Sequence, residues 1–289
     1  LGMSLMTLFF AHQAARWPVG FFYEVDGVRH EIEDADAVEI GTKFGKVSVL
    51  QPMGRKVGRS RSRRDMPMAR AAASTLHPLI DSNESTFERQ VFRKVFTDQE
   101  FFIYDHMVSD IPTLPGVAYL DLARKAGEIA AGRKVRKIRN IIWVSPLTVQ
   151  NATPNEVLIE LKPAGDTVAF EVFSEREDGR KQLYCQGKLH YATPQDEATE
   201  DEYVDLSAIR GRCDKVMDGE NAYPLFKNLG LGLGPTFQAL KEVRRNPQVA
   251  FEVLGALQMP ALDGTRFDEF VLHPSLVDSA FQAAMGARL

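Results

Sequence analysis

Pro115-Gly-Val-Ala-Tyr-Leu-Asp-Leu-Ala-Arg-Lys-Ala-Gly-Glu-Ile-Ala-Ala131 reads as one long helix, with the proline at its first helical position. Val117, Leu120, Ala123 and Ile129 fall near one face, and the low polarity of the rest predicts burial along most of its length. Strand patterns follow at residues 138–144, 157–161, 168–173 and 183–191. Val168, Phe170 and Val172 alternate, as do Leu183, Cys185, Leu189 and Tyr191, and Asp178-Gly179 between the two runs supplies a turn. The unit is therefore a helix followed by an antiparallel meander. Toward the C-terminus a second cycle starts near residues 222–226, continues as extended chain over 237–257 and reaches another helix at 274–285. One helix per antiparallel sheet, twice, is an α+β outline. Residues 87–96 stay ambiguous: the apolar positions 87, 91, 92, 95 and 96 have helical spacing, while their aromatic and β-branched side chains suit a strand.

The 289 residues suffice for one large or two modest folding units, and 44% apolar with 26% charged residues is a globular composition. A formal charge of −4 provides no overall field for gathering nucleic acid or acidic lipid, so neither is an expected partner. The apolar opening at residues 1–10 lacks a positive leading region and is shorter than the ~18 residues of a membrane span. Cys185 and Cys213 are expected as small core residues, compatible with a reducing cytoplasm. Ahead of residue 75, the runs at 21–25 and 28–33 flank Asp26-Gly27 and predict a β-hairpin. Six of the ten residues 55–64 are Lys or Arg among Gly and Ser, which predicts a solvated linker and places a boundary near residue 74. The chain begins with Leu and stops just after a helical pattern, as expected of a piece cut from a longer polypeptide.

The chemistry-bearing types are few. There is no metal-ligand spacing, no nucleophile elbow and no phosphate loop; Gly230-Leu-Gly-Leu-Gly234 lacks a third glycine at the spacing of a dinucleotide fingerprint and reads as a bend. Two segments stand out. His106 precedes Pro115-Gly116 by nine and ten residues, so the free N–H groups at the start of an apolar helix could face what the imidazole faces. Asp278 lies among Leu276, Val277, Ala280 and Phe281, with Gln282 one turn on and able to hydrogen-bond its carboxyl group. Partial burial would raise that carboxyl's pKa and keep a proton on it. Alone, either residue is more often structural; together, about 170 residues apart, they suggest a base and an acid.

From about residue 75 onward the sequence resembles the dehydratase domains of modular polyketide synthases, most of all those whose acyltransferase acts in trans. His106 and Pro115 match the family's His-x-x-x-Gly-x-x-x-x-Pro, with Asp110 at the glycine; Asp278 and Gln282 match Asp-x-x-x-Gln; Gly234-Pro235-Thr236-Phe237 matches Tyr-Gly-Pro-x-Phe, with Leu233 at the tyrosine. Leu114-Pro-Gly-Val-Ala-Tyr-Leu120 and Ile141-Ile-Trp-Val-Ser-Pro-Leu147 resemble the trans-acyltransferase type. The resemblance implies a double hot-dog fold, with one hot-dog over 75–195 and a second over 196–289, and leaves residues 1–74 unassigned. Family members continue with more strands, so the second hot-dog is expected to be incomplete unless residues 1–74 contribute something unexpected.

The implied activity is dehydration of a β-hydroxyacyl thioester to the α,β-unsaturated thioester. No bound cofactor is implied: the substrate arrives on the phosphopantetheine arm of an acyl carrier protein, and the other partners are neighbouring synthase domains. A homodimer is common in the family. By resemblance His106 is the base, Asp278 the acid and Gln282 its orienting partner. Leu114, Pro115, Gly116, Gly234, Pro235 and Phe237 are expected to contact substrate, Gly116 through its backbone N–H. Asp110 adds bulk and charge where glycine permits close approach or positive φ, and a carboxylate there could raise the histidine's pKa. Leu233 removes a phenol and predicts a changed acyl-chain preference. The alternative is an altered or inactive relative: a double-bond isomerase, a cyclase, a β-branching domain or a scaffold. The present Asp278 argues against the isomerase and Pro115 against the cyclase. One bridging substrate requires about 4–7 Å between the His106 and Asp278 side chains, given the ~3 Å reach of each proton transfer.

Overall fold

A computed structural model of the chain describes residues 75–149, 153–176, 178–193, 204–249, 252–258 and 269–285, together with the backbone of four strands ahead of them. Those strands are β1 (Leu8–Phe9), β2 (Phe22–Val25), β3 (Val28–Thr42) and β4 (Gly45–Lys56). β2 and β3 pair antiparallel with Val25 opposite Val28, the hairpin expected around Asp26-Gly27. β4 runs two residues into the basic stretch expected as linker; residues 57–64 of that stretch lie outside the described residues.

The first half begins with β5 (Ser82–Asn83) and β6 (Gln90–Phe96). β6 resolves the ambiguous segment as a strand. Phe92, Lys94 and Phe96 share its buried face at period two, and the lysine among them is what hid the alternation. The Lys94 ammonium is buried beside Asp81 and Glu100, each 3.2 Å away. A short helix α1 (Phe101–Tyr104) leads into β7 (His106–Val108) and β8 (Ile111–Pro112), which are joined by a two-residue turn.

The long helix α2 runs Ala118–Ala131, three residues later than the proline pattern predicts. Pro115 and Gly116 instead form a turn in which the Pro115 carbonyl accepts the Ala118 N–H at 3.0 Å. Ala118 to Ala123 are all buried, and so are Asp121 and Arg124. Gly132 ends the helix in the left-handed conformation, φ 62°. The strands β9 (Val135–Trp143), β10 (Asn155–Ala164), β11 (Thr167–Glu175) and β12 (Lys181–Tyr191) follow. They form an antiparallel ladder in the order β9-β12-β11-β10-β6-β5, and Leu120, Ala123, Ile138, Val172, Cys185 and Leu189 lie in the core cluster between sheet and helix. Cys185 is buried as expected, and burial pushes its thiol up to about 12.

The second half contains α3 (Leu206–Arg212), β13 (Lys215–Asp218), α4 (Gly219–Asn228), β14 (Leu231–Leu233), β15 (Leu240–Arg245), β16 (Val253–Leu257) and α5 (Pro274–Met285). Residues 222–226 belong to α4, where Ala222 and Phe226 at i,i+4 make the buried face. α5 has the expected bounds and packs on β15 and β16 of the antiparallel β13-β15-β16. A Cβ at Gly255 would come within 2.6 Å of the Ala283 Cβ, so glycine lets helix and strand approach closely. In the full sheet β1, β4 and β3 lie between β16 and β9, with β1 parallel to β16 and β3 parallel to β9. A separate three-stranded sheet, β14-β7-β8, sets Leu233 of one half opposite His106 of the other.

His77 opens the first half, buried and 5.3 Å edge-on to Phe270. Burial pulls its pKa down to about 4 against the raising effects of Asp121 and the Glu269 carbonyl, so it is neutral in the native state at neutral pH. The unfolded imidazole takes up its proton near 6.5, ahead of the folded one. Stability is thus complete above that pH and declines as pH falls toward 4, by on the order of 3 kcal/mol at ~1.4 kcal/mol per tenfold change in proton affinity. Urea midpoints at pH 7 and pH 4.5 check this; a His77→Gln variant should lose this part of the difference, and an unchanged difference would refute the assignment.

Candidate active site

His106 is the first residue of β7, and its ring is buried against Phe237 at 5.3 Å between centroids. Its Nδ1 lies 2.8 Å from the Thr113 carbonyl across the β7–β8 hairpin. A carbonyl oxygen only accepts, so Nδ1 carries the hydrogen and the Nε2 lone pair of the neutral ring is free. That lone pair faces Asp278 of α5, with Nε2 3.9 Å from Oδ1. The separation stands just below the 4–7 Å expected for a bridging substrate and brings together groups from opposite halves of the chain.

The other oxygen of Asp278, Oδ2, accepts a 2.8 Å hydrogen bond from Gln282 Nε2. The same amide nitrogen donates to the Phe237 carbonyl at 3.1 Å. With Oδ2 engaged as an acceptor, the proton of a neutral carboxyl group belongs on Oδ1, the oxygen facing His106. Burial raises the Asp278 pKa, opposed by His106 and by the Gln282 hydrogen bond. An imidazole with a free base nitrogen beside a carboxyl group biased toward its acid form can remove one proton and deliver another.

A polar strap reaches this pair from a residue to which sequence reasoning assigned no role. Asp105 Oδ2 accepts from the Thr236 N–H at 3.0 Å and from Thr236 Oγ1 at 2.7 Å, and the Asp105 carbonyl accepts the Gly234 N–H at 2.8 Å. The turn Pro235–Phe237 is thereby tied to the residue next to His106, and its Phe237 carbonyl in turn holds Gln282. Asp105 was visible as a neighbour of His106, but its partner is 131 positions away and nothing local announces it.

The remaining predicted positions divide. Gly116 sits in the turn just ahead of α2, where its carbonyl accepts Trp143 Nε1–H at 2.8 Å; among the described residues its N–H donates to no protein acceptor. A Cβ on Gly116 would come within 2.9 Å of that indole nitrogen. Leu114 is packed in the core, with its N–H on the Leu147 carbonyl at 2.9 Å, and Pro115 is buried beside it. Pro235 is exposed and opens the turn that carries Phe237. Leu233 is half-buried against both core clusters.

Comparison with known proteins places this geometry. Family models described as polyketide synthase dehydratase domain and polyketide synthase dehydratase N-terminal domain match residues 77–175 and 201–288. The crystal structure of a trans-AT PKS dehydratase domain from Brevibacillus brevis is 33% identical, with a TM-score of 0.65 over 73% of this chain and 78% of that one. The chain belongs to the polyketide synthase dehydratase family. Polyketide synthases PksM and PksN of Bacillus subtilis are 38% and 36% identical over 73% and 75% of this chain, which spans only 5% and 4% of their lengths. The dehydratase domain of RzxB from Pseudomonas fluorescens is 27% identical, with a TM-score of 0.61 over 74% of this chain and 75% of that one. The fold is the double hot-dog of this family, as expected.

Asp110, the departure from the family's first signature, is a turn residue. It is exposed at the β7–β8 turn, where Ser109 and Asp110 have φ 50° and 62°. Two left-handed residues between paired strands make the turn that favours Gly, Asn and Asp, so aspartate meets the backbone demand that glycine meets in the family. Among the described residues, the acidic side chain within 4 Å of a His106 ring nitrogen is Asp278. Asp110→Gly should therefore raise stability slightly, by ~0.5 kcal/mol once relief of the left-handed conformation is set against the entropy of glycine. Dehydration rates should stay within about twofold; a large rate change would show that Asp110 reaches the site.

Proposed function

We propose that the chain dehydrates a β-hydroxyacyl thioester to its α,β-unsaturated product, with the acyl chain carried on the phosphopantetheine arm of an acyl carrier protein. His106 Nε2 takes the α-proton, and the Gly116 N–H at the helix start donates to the thioester oxygen as charge builds there. Asp278 Oδ1 gives its proton to the β-hydroxyl, the Cβ–O bond breaks and water departs. One proton has been gained by His106 and one lost by Asp278, so transfer back across the pair restores both. With base and acid only 3.9 Å apart, hydrogen and hydroxyl leave from the same face of the Cα–Cβ bond. The observation that carries the reading is that pairing: a tautomer-fixed imidazole opposite a carboxyl oxygen whose partner oxygen is already engaged.

The working unit in this reading is residues 75–289, in halves of 75–195 and 196–289, with no function assigned to 1–74. Leu114, Pro115, Gly234, Pro235 and Phe237 build the substrate-facing walls or the turns that shape them. The partners are the carrier protein and neighbouring synthase domains in a trans-acyltransferase assembly, with a second copy of the chain as a further partner. Residence in the cytoplasm belongs to this reading through the family resemblance alone. The scaffold alternative draws on Asp110 and on the strands missing after α5; the exposed turn position of Asp110 weakens the first of these. Incubation with a 3-hydroxyacyl carrier-protein thioester, followed by intact-mass measurement, should show loss of one water; an unchanged mass over many hours would overturn the reading.

A further inference from the structure

The dehydration chemistry leaves a second buried polar group unused, between the two halves. His77 Nδ1 accepts the Leu79 N–H at 3.2 Å, so the hydrogen of the neutral ring is on Nε2, which donates to the Glu269 carbonyl at 2.7 Å and lies 3.4 Å from Asp121 Oδ2. Asp121 is wholly buried on α2; its Oδ1 accepts the Leu272 N–H at 3.1 Å and Arg124 Nε at 2.6 Å. Arg124 continues to Glu128 at 2.7 Å, and Glu128 accepts the Val135 N–H at 3.2 Å. Residues of the first half thus grip the backbone of 269–272 at both ends. His273 just beyond stacks on Phe101, with ring centroids 5.5 Å apart.

Residues 271–273 are in neither helix nor strand, so side-chain partners decide where that segment lies. Immediately after it α5 begins, and a helix is stiff at ~1.5 Å per residue, so any displacement at Leu272 is carried to Asp278, six residues on. Asp121, in the first turn of α2, is also only five residues from Gly116 in the turn that precedes the helix. An ion pair taken out of water is a poor source of net stability and is often replaced by apolar side chains without loss. Its location accounts for it better than its energy does.

We propose that His77 and Asp121 are positioning residues: a latch that sets the Asp278 carboxyl group relative to His106 and Gly116 by holding the 269–272 backbone. The proposal rests on the dehydratase reading for its rate effect, but its geometric consequence stands apart from it. The double variant Asp121→Leu/Arg124→Met removes the ion pair with apolar groups of similar size, and His77→Phe removes the donor while keeping the ring.

In both, kcat per folded molecule should fall about tenfold or more, because misplacement by ~1 Å costs up to 10²-fold, while KM stays within about threefold. Exchange of the Leu272 amide hydrogen should accelerate, and the Asp278 carboxyl titration followed by NMR should move. His77→Gln, which keeps a donor toward Glu269, should retain most of kcat. A wild-type protein that releases no water refutes the dehydratase reading alone, since exchange and titration still report on the latch. Folded variants with kcat within about twofold of wild type, or with an unmoved Asp278 titration, overturn the latch. Should the double variant fail to fold, His77→Phe decides by the same readouts.

Discussion

His106→Ala should abolish the loss of water from a 3-hydroxyacyl thioester, and Asp278→Asn should reduce it by about 10²–10⁴-fold, the usual contribution of a positioned proton donor or acceptor. The two losses differ in kind. Alanine removes the free Nε2 together with the ring that packs on Phe237, so some stability goes with the activity. Asparagine keeps the shape of Asp278 and its contact with Gln282 but has no acidic proton to give. Because burial already disfavours the Asp278 carboxylate, the Asn variant should be as stable as wild type or more so.

The pH dependence separates them further. Asp278 acts as a donor only while protonated, so the rate falls as pH rises through its raised pKa, and Asp278→Asn should erase that alkaline decline from its residual rate. Single-turnover rates from pH 5 to 9 with denaturation midpoints for each variant make the check. An Asp278→Asn protein retaining wild-type turnover would remove the acid from the mechanism.

The second large effect is expected at Gly234. A Cβ there would lie 2.0 Å from Asp105 Oδ1 and 2.4 Å from its Cγ, far inside contact distance. Neither partner can retreat cheaply. Asp105 is held by the Thr236 N–H and hydroxyl, and Gly234 by its own N–H to the Asp105 carbonyl. Gly234→Ala should therefore cost about 1–3 kcal/mol in stability as an overpacked site. The rate should drop by more than about tenfold as well, because the turn displaced carries the Phe237 carbonyl that holds Gln282 against Asp278.

Pairing Gly234→Ala with Asp105→Ala opens the space the new methyl needs, and the two changes should then cost less together than their sum. Strictly additive losses would mean that the strap does not connect the two. Urea titrations of both single variants and the double, alongside dehydration rates, give both readouts.

Much of the framework was legible because its signals are local. The α5 pattern at 274–285, the meander from β10 to β12 and the β2–β3 hairpin each rest on side chains two to four positions apart, or on a turn dipeptide, and the backbone there obeys that periodicity. Legibility failed where a residue's environment came from elsewhere. Lys94 looks like a break in alternation until Asp81 and Glu100 surround its ammonium. The helix opened by Pro115-Gly116 starts three residues late because the turn there is braced by Trp143 from β9.

The candidate site divides in the same way. His106, Asp278 and Gln282 could be named from residue type and spacing, since an i,i+4 pair on one helix is a local fact. By itself, then, the sequence determined the α5 helix, the β10–β12 meander, the turn dipeptides and the chemical types able to exchange protons. Only the tertiary structure decided that Thr113 leaves Nε2 of His106 free, that Asp105 holds Thr236, that His77 and Asp121 grip the chain before α5, and that Asp110 occupies an exposed left-handed turn position. The physical reason is that hydrogen-bond direction and burial depend on atoms up to about 190 positions away, which meet only when the two halves close on one another.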